Sequence, residues 1–458
     1  MRVTVLLQIT GDDGTASVAE EVTAFEKPTE RPEDLGLSIA EGKAMMAAVQ
    51  HRTVNAQAAA WAERHRRCDA CGERRRSKGS YPITFMTLYG DVDLASPRLL
   101  RCPCQSVDGP TTLSPLCGLI PNHVAPERLY LEARWSSLVP YAAAAGLLAD
   151  ILPMGSGANA KTLREHTLRV AERAEAELGK EQFSFIDGCS ADWEKLPIPE
   201  GRIVVGLDGG YVRNWDDKKS NFEVIVGRSV PEDRETRYIG LAHGYDSKPK
   251  RRVFDVLKSQ GLQANQDVTF LTDGGEEIRA LTEFVTPASE HVLDWFHVAM
   301  RLTVLGQMIK SARTEAATAE AKAAALERIK WLLWHGNAPD AVDDIECLGD
   351  DVTAELEDNP TSASLRKLAA ALGEFATYIA NNAGHIVNYG ERFRAGERIS
   401  TGFVESAINQ IVDKRFDKRQ SMRWTPRGAH LLLQTRTRVL NNDLAQVIRR
   451  CYPAFRRS

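Results

Sequence analysis

The stretch "RIVVGLDGGYVR", residues 202–213, decides the fold. Apolar residues run up to one acid, Asp208, and two glycines follow it. Val and Ile favour a pleated, buried surface, so the run reads as a core strand that ends at the acid. A carboxylate there, with nothing bulky behind it, asks for other carboxylates to join it. "DVTFLTDGG" repeats the pattern and ends in Asp273, 65 residues further on. Ligands bind at strand ends in open sheets, and glycine there leaves room for an ion or a backbone.

The neighbouring segments alternate in the same texture. "FEVIVGRSV" and "TRYIGLAHGY" read as two more strands of a meander. "KPKRRVFDVLKSQGL" reads as a helix stopped by Gly261, and "EEIRALTEFV" as another. "EHVLDWFH" is a strand ending near Asp294. The expected order over 200–297 is three strands, helix, strand, helix, strand. Residues 298–390 then read as almost wholly helical, with "AEAKAAALERIKWLLWHGN" and "SLRKLAAALGEFATYIANNAG" the clearest stretches.

A third acid, Glu405, lies in "ISTGFVESAINQIVDKRF", in the first turn of a helix that follows the capping candidates Ser400 and Thr401. Two aspartates and a glutamate form a hard oxygen set suited to Mg²⁺ or Mn²⁺. Two such ions about 3.5–4 Å apart suit phosphodiester chemistry. A single Asp-Gly-Gly is more often a turn. Two at strand ends, with a first-turn Glu inside a basic region, favour the site reading.

Charge supports a nucleic-acid partner regionally, not globally. The chain of 458 residues carries a formal net charge of −4. Residues 391–458 hold fifteen Lys/Arg against six Asp/Glu, including Lys414, Arg415, Lys418 and Arg419, counted here as DNA contacts. Residues 340–358 hold nine acids and no base. Two solvated surfaces would give the same counts. At 43% hydrophobic and 26% charged the composition is that of a globular chain of several domains. No apolar run spans a bilayer and the start lacks a secretory pattern, so a cytoplasmic location and no membrane partner are expected.

Cys68-x-x-Cys71 and Cys102-x-Cys104 flank a hairpin, "ITFMTLY" and "VDLASPRLL", with its turn placed at Gly90-Asp91. Four thiolates on two knuckles suit structural Zn²⁺, although the second pair is one residue short of a strict ribbon. Arg66, Arg67, Arg74, Arg75, Arg76 and Lys78 surround the first knuckle and suit a phosphate-facing surface. Residues 126–180 read as three helices. The third would present Asn159, Lys161, Thr162, Arg164 and His166 at its start, as a recognition helix does. A plain helical bundle is the alternative.

Taken together, "GLDGGYVR", "FLTDGG", "VLDWFH", "GFVESAINQ" and "MRWTPRGAHLLLQTRTRVLNN" resemble DDE transposases of bacterial insertion sequences of the Kra type, distantly similar to Mutator-like elements. The resemblance covers roughly residues 60–445. It implies an α/β fold: an RNase H-like catalytic core with an all-helical insertion, preceded by a zinc-ribbon-like hairpin and a helical DNA-binding region. It implies Asp208, Asp273 and Glu405 as the catalytic triad holding two Mg²⁺ or Mn²⁺ ions. Asp294 and His297 resemble the Asp/Cys-x-x-His signature of the Mutator-like relatives; capping and packing of the next helix is the competing role. It further implies element ends and target DNA as partners, a homodimer or larger multimer, and a bacterial, nucleoid-associated location. The alternatives are an RNase H-like nuclease without strand transfer and a silent, transposase-derived DNA-binding protein. The expected segments are 1–60 of unknown role, 61–125 zinc-ribbon-like, 126–199 helical and linking, 200–297 core, 298–390 helical insertion, and 391–458 catalytic helix with basic helices.

Overall fold

The computed structural model describes every residue except 12, 13, 15, 105–110, 156, 157, 200, 284, 313–315, 409, 410, 413, 417–422, 457 and 458, and the backbone alone at 316, 405 and 414. The chain divides into two compact units, Met1–Arg173 with Asn442–Ser458, and Ala174–Asn441.

The first unit opens on a two-stranded antiparallel ribbon, β1 (Arg2–Leu7) and β2 (Glu20–Glu26). Helix α1 (Ile39–Arg64) starts at a capping box in which Ser38 and Glu41 each accept the other's backbone amide. A hairpin follows, β3 (Ser77–Thr87) and β4 (Gly90–Leu100), with β5 (Thr112–Leu113) added at its edge. Thr87 pairs with Gly90, so the turn is Leu88-Tyr89 rather than Gly90-Asp91. Gly90 (φ +118°) opens the second strand instead. Four helices come next: α2 (Pro115–Leu119), α3 (Pro126–Leu138), α4 (Tyr141–Ile151) and α5 (Ala160–Glu177), the last running across the unit boundary. The three-helix expectation for 126–180 matches α3 to α5.

The second unit holds a short helix α6 (Ser190–Trp193) and a five-stranded sheet. Its strands are β6 (Ile203–Arg213), β7 (Asn221–Pro231), β8 (Arg237–Ala242), β9 (Val268–Thr272) and β10 (Ser289–Leu293), in spatial order β10-β9-β6-β7-β8. The first three form an antiparallel meander. β9 and β10 join parallel to β6, reached through α7 (Pro249–Ser259) and α8 (Glu276–Thr282). Strand side chains alternate between faces. Ile203, Val205 and Leu207 pack on one face with Val253 and Leu257 of α7 and Ile278 and Leu281 of α8.

The rest of the unit is helical: α9 (Trp295–Ser311), α10 (Ala316–Trp334), α11 (Ala338–Asp358), α12 (Ala363–Asn381), α13 (Tyr389–Arg394), α14 (Gly402–Ile408), α15 (Lys414–Phe416) and α16 (Pro426–Leu440). Leu302, Ile329, Ile345, Leu372 and Phe375 of α9 to α12 share one core with Leu271, Val292 and Leu293 at the ends of β9 and β10. The helical segment is thus packed onto the strand ends that carry the acids.

Candidate active site

β6 does not end at Asp208; it runs on to Arg213 and stays paired with β7 throughout. What ends there is its parallel neighbour. Gly206 pairs with Leu271, an offset that sets Asp208 level with Asp273 two residues later. Leu293 pairs with Thr272, and the Asp294 amide donates to the Thr272 carbonyl at 2.8 Å. Asp208, Asp273 and Asp294 therefore stand at one level on three adjacent strands.

Each acid is held differently. Asp208 is half-buried and its Oδ1 accepts the Gly209 amide at 2.7 Å. Burial pushes its carboxyl above the usual range, Asp273 and Asp294 add to the rise, and His297 opposes it. Asp273 Oδ1 accepts the Gly275 amide at 3.0 Å, and its carbonyl accepts the Tyr378 hydroxyl of α12 at 2.8 Å. Gly274 between them has φ +85°, and a Cβ there would meet Asn382 Oδ1 at 2.5 Å, so only glycine fits the turn.

Asp294 is fully buried and has four donors. Oδ1 accepts the amides of Phe296 and Thr401, each at 2.9 Å. Oδ2 accepts His297 Nδ1 at 2.8 Å and the Thr401 hydroxyl. It is therefore both the cap of α9 and the anchor of His297, which is the capping and packing role expected as the alternative. The bond to Asp294 raises the His297 pKa, and the charges of Asp294, Asp208 and Asp273 act in the same direction against burial.

The helix carrying position 405 lies on the face of the sheet from which Asp208 projects. Gly206, two residues before Asp208, shares its face. A Cβ on Gly206 would lie 2.2 Å from Val404 Cγ2 and 2.9 Å from the Phe403 ring. Arg228, opposite Gly206 on β7, donates to the Phe403 carbonyl at 3.4 Å and the Ser406 hydroxyl at 3.3 Å. The side chain of Glu405 lies outside the described residues.

The opposite face carries a second set. A Cβ on Gly209 would meet Glu223 Oε1 at 2.3 Å, so this glycine makes room for a carboxylate rather than for open space. Glu223, His243 and Glu277 bring one ligand atom each within 4.8 Å of one another. Burial raises the Glu223 carboxyl, with Glu277, Asp273 and Asp208 adding to the rise and His243 opposing it. Among the described residues no Lys or Arg is ion-paired with Asp208, Asp273, Glu223 or Glu277. Glu175, Asp246 and His430 form a third group of metal-ligand type, but Arg252 fills it, donating to Glu175 and Asp246 at 2.8 Å each. A cation site already occupied by a guanidinium does not fit a metal.

The four cysteines converge in the first unit. Sγ separations are 3.5 Å for Cys68–Cys104 and 3.4 Å for Cys71–Cys102 and Cys71–Cys104. Thiolates about 2.3 Å from a tetrahedral ion stand about 3.8 Å apart, so the cluster fits a metal with slight expansion. Amides of Cys71 and Ala70 lower the Cys68 thiol to about 6, as a thiolate ligand requires, whereas the neighbouring thiols raise Cys104.

The basic candidates divide. Lys161 and Arg164 are exposed on the first turns of α5, and Asn159 caps that helix by accepting the amides of Lys161 and Thr162 at 3.0 and 3.1 Å. His166 is buried instead, bonded to Glu132 in a chain that continues through Arg128 to Asp91. Arg76 is exposed; Arg74 is exposed and paired with Glu63. Arg75 is buried, donating to the carbonyls of His65 and Arg67 at 3.0 and 2.9 Å, and so has no face for a phosphate. Arg415 is fully buried over Trp424, and the same correction applies. The side chain of Lys414 and all of Lys418 and Arg419 lie outside the described residues.

No protein-family model and no curated protein matches the chain. Among solved structures, the Drosophila P element transposase strand transfer complex aligns at 10% identity, over 70% of this chain and 93% of that one, with a TM-score of 0.30. So slight a likeness carries no argument. No helix among the described residues is long and apolar enough to cross a membrane.

Proposed function

We propose that the protein is a DNA transposase whose catalytic acids are Asp208, Asp273 and Glu405. The observation that carries the reading is the level placement of Asp208 and Asp273 on adjacent parallel strands, with α14 packed over Gly206 on the same face as Asp208. The strand order, an antiparallel meander extended by two parallel strands, is the one expected of an RNase H-like core. Unpaired carboxylates fit divalent cations, since crowded acids without cationic partners repel one another. Bound there, Mg²⁺ or Mn²⁺ would activate the attacking water or 3′-hydroxyl and stabilise the leaving oxygen.

The chain's own residues do the rest. Asp208 binds the cations from within β6, Asp273 from the end of β9, and Glu405 from α14. His297, held by Asp294 through Nδ1, offers Nε2 to the reacting strand. Thr401 fixes the start of α14 against Asp294. The four cysteines hold one structural Zn²⁺, and Lys161, Arg164 and Arg76 contact the element ends. Work on paired ends calls for a dimer or larger assembly on DNA.

The test uses the full chain with supercoiled plasmid and a labelled fragment bearing a 3′-hydroxyl. The wild type should nick plasmid in Mg²⁺ or Mn²⁺, stop in chelator, and join the fragment to plasmid. Asp208→Asn, Asp273→Asn and Glu405→Gln should each cut at least about a hundredfold more slowly. Nicking without joining indicates a nuclease. Near-normal cutting by any variant removes that residue from the site.

A further inference from the structure

Arg301 lies one turn beyond His297 on α9, and residues four apart share a helix face about 6 Å from one another. It is exposed, and among the described residues no carboxylate pairs with it. Its guanidinium lies 4.1 Å from the centroid of the Tyr378 ring. That ring is no ordinary surface aromatic. Its hydroxyl donates to the carbonyl of Asp273 at 2.8 Å, so the stack is built on the loop that carries the second acid. The stack holds a planar, permanently charged fork in place without neutralising it.

The surroundings need such a cation. Asp208 and Asp273 stand level on adjacent strands without a Lys or Arg partner among the described residues. A phosphodiester entering that corner meets repulsion. Bound cations offset it at the reacting phosphate, but not at the next phosphate along the strand. A guanidinium suits that second task, because its fork matches two phosphate oxygens. Most protein–DNA contacts of this kind set register and carry no sequence information.

We propose that Arg301, stacked on Tyr378, is a phosphodiester-binding residue that grips the DNA backbone beside the acidic site and sets which phosphate faces Asp208 and Asp273. The inference rests on the DNA-processing reading above. It gives the helical segment a part in substrate binding, since α9 supplies the arginine and α12 the ring beneath it.

Full-length wild type and Arg301→Gln, which keeps a planar polar head on a shorter stem without the charge, are titrated with a labelled duplex of about 30 base pairs across a salt series. Arg301→Gln should bind about tenfold more weakly at low salt and lower the slope of log affinity against log salt by about 1. Arg301→Lys should keep the slope. Plasmid nicking in Mn²⁺ should fall with Arg301→Gln. A structural role alone would leave the salt slope unchanged. Independently of any variant, the duplex should protect Arg301 of the wild type from phenylglyoxal, read by peptide mass. An unchanged slope for Arg301→Gln, or modification of Arg301 unaffected by duplex, overturns the proposal. If the wild type binds and nicks while either of those results is found, this inference alone falls. If the wild type binds no duplex at any salt, the DNA reading falls with it.

Discussion

Asp294 accepts the backbone amide of Thr401, 107 positions further along the chain, at 2.9 Å. The whole helical excursion from α9 to α13 leaves the sheet at this carboxylate and returns to it. The same group caps α9 and orients His297. One buried acid thus fixes the exit, the return and a neighbour of the site.

Removing it should be costly. Asp294→Ala leaves donors unpaired in a fully buried place, and about 3 kcal/mol of stability should be lost. Thr401→Val removes the hydroxyl but keeps the amide and should cost about 1 kcal/mol. Because the two share a bond, the double variant should lose less than the sum. Denaturant midpoints for the four proteins check this; strict additivity would mean that the contact contributes nothing.

Much of the site was legible because it is local. "LDGG" and "LTDGG" each place an acid where a strand loses a neighbour, and their separation equals the ladder offset that makes them level. The Gly-Gly pairs misled on two points. After Asp208 they read as the end of a strand, yet β6 continues to Arg213, and Gly209 is filled by Glu223 from the next strand. The glycine that admits α14 is Gly206, and nothing local could identify it, since Val404 lies far along the chain. Charge counts failed for the same reason. Arg75, Arg415 and His166 look like surface cations in sequence, but their burial depends on partners folded around them.

The cysteine cluster should retain one zinc per chain through purification. Cys68→Ser removes a buried ligand, and the knuckles should then lose the ion and local order. Elemental analysis gives the zinc content, and a thiol reagent should label the remaining cysteines faster. Less than half an equivalent of zinc in the wild type would count against the ion.

Acid should weaken the second unit through Glu175. Burial alone would raise this carboxyl, but His430 and Arg252 outweigh it and hold the pKa down to about 2 from 4.5. A depressed folded-state pKa contributes stability that is present above the unfolded value. That stability is lost as pH falls through the folded one. The window therefore runs from about pH 4.5 down to about 2. Glu175→Gln should be less stable than the wild type at pH 7 and flatter across that window. Thermal midpoints at stepped pH test it, and parallel curves for the two proteins would remove Glu175 as the cause.

The closest packing at the site yields the sharpest test of its geometry. A methyl at position 206 would sit 2.2 Å from Val404 Cγ2, and the phenyl ring of Phe403 blocks the other escape at 2.9 Å. β6 is held by partners on both sides at this level, so the strand cannot retreat. The helix must move instead, and α14 carries position 405. Gly206→Ala should therefore cost about 1–3 kcal/mol, the usual range for overpacking, and reduce Mn²⁺-dependent nicking more than that loss of folded protein explains. Shortening the opposing residue gives the room back. Gly206→Ala with Val404→Ala should recover part of both the stability and the nicking, although Val404→Ala alone is destabilising through its cavity. Unfolding midpoints and nicking rates for the three variants give the comparison. A double variant worse than either single change would show that position 206 and α14 do not meet as described.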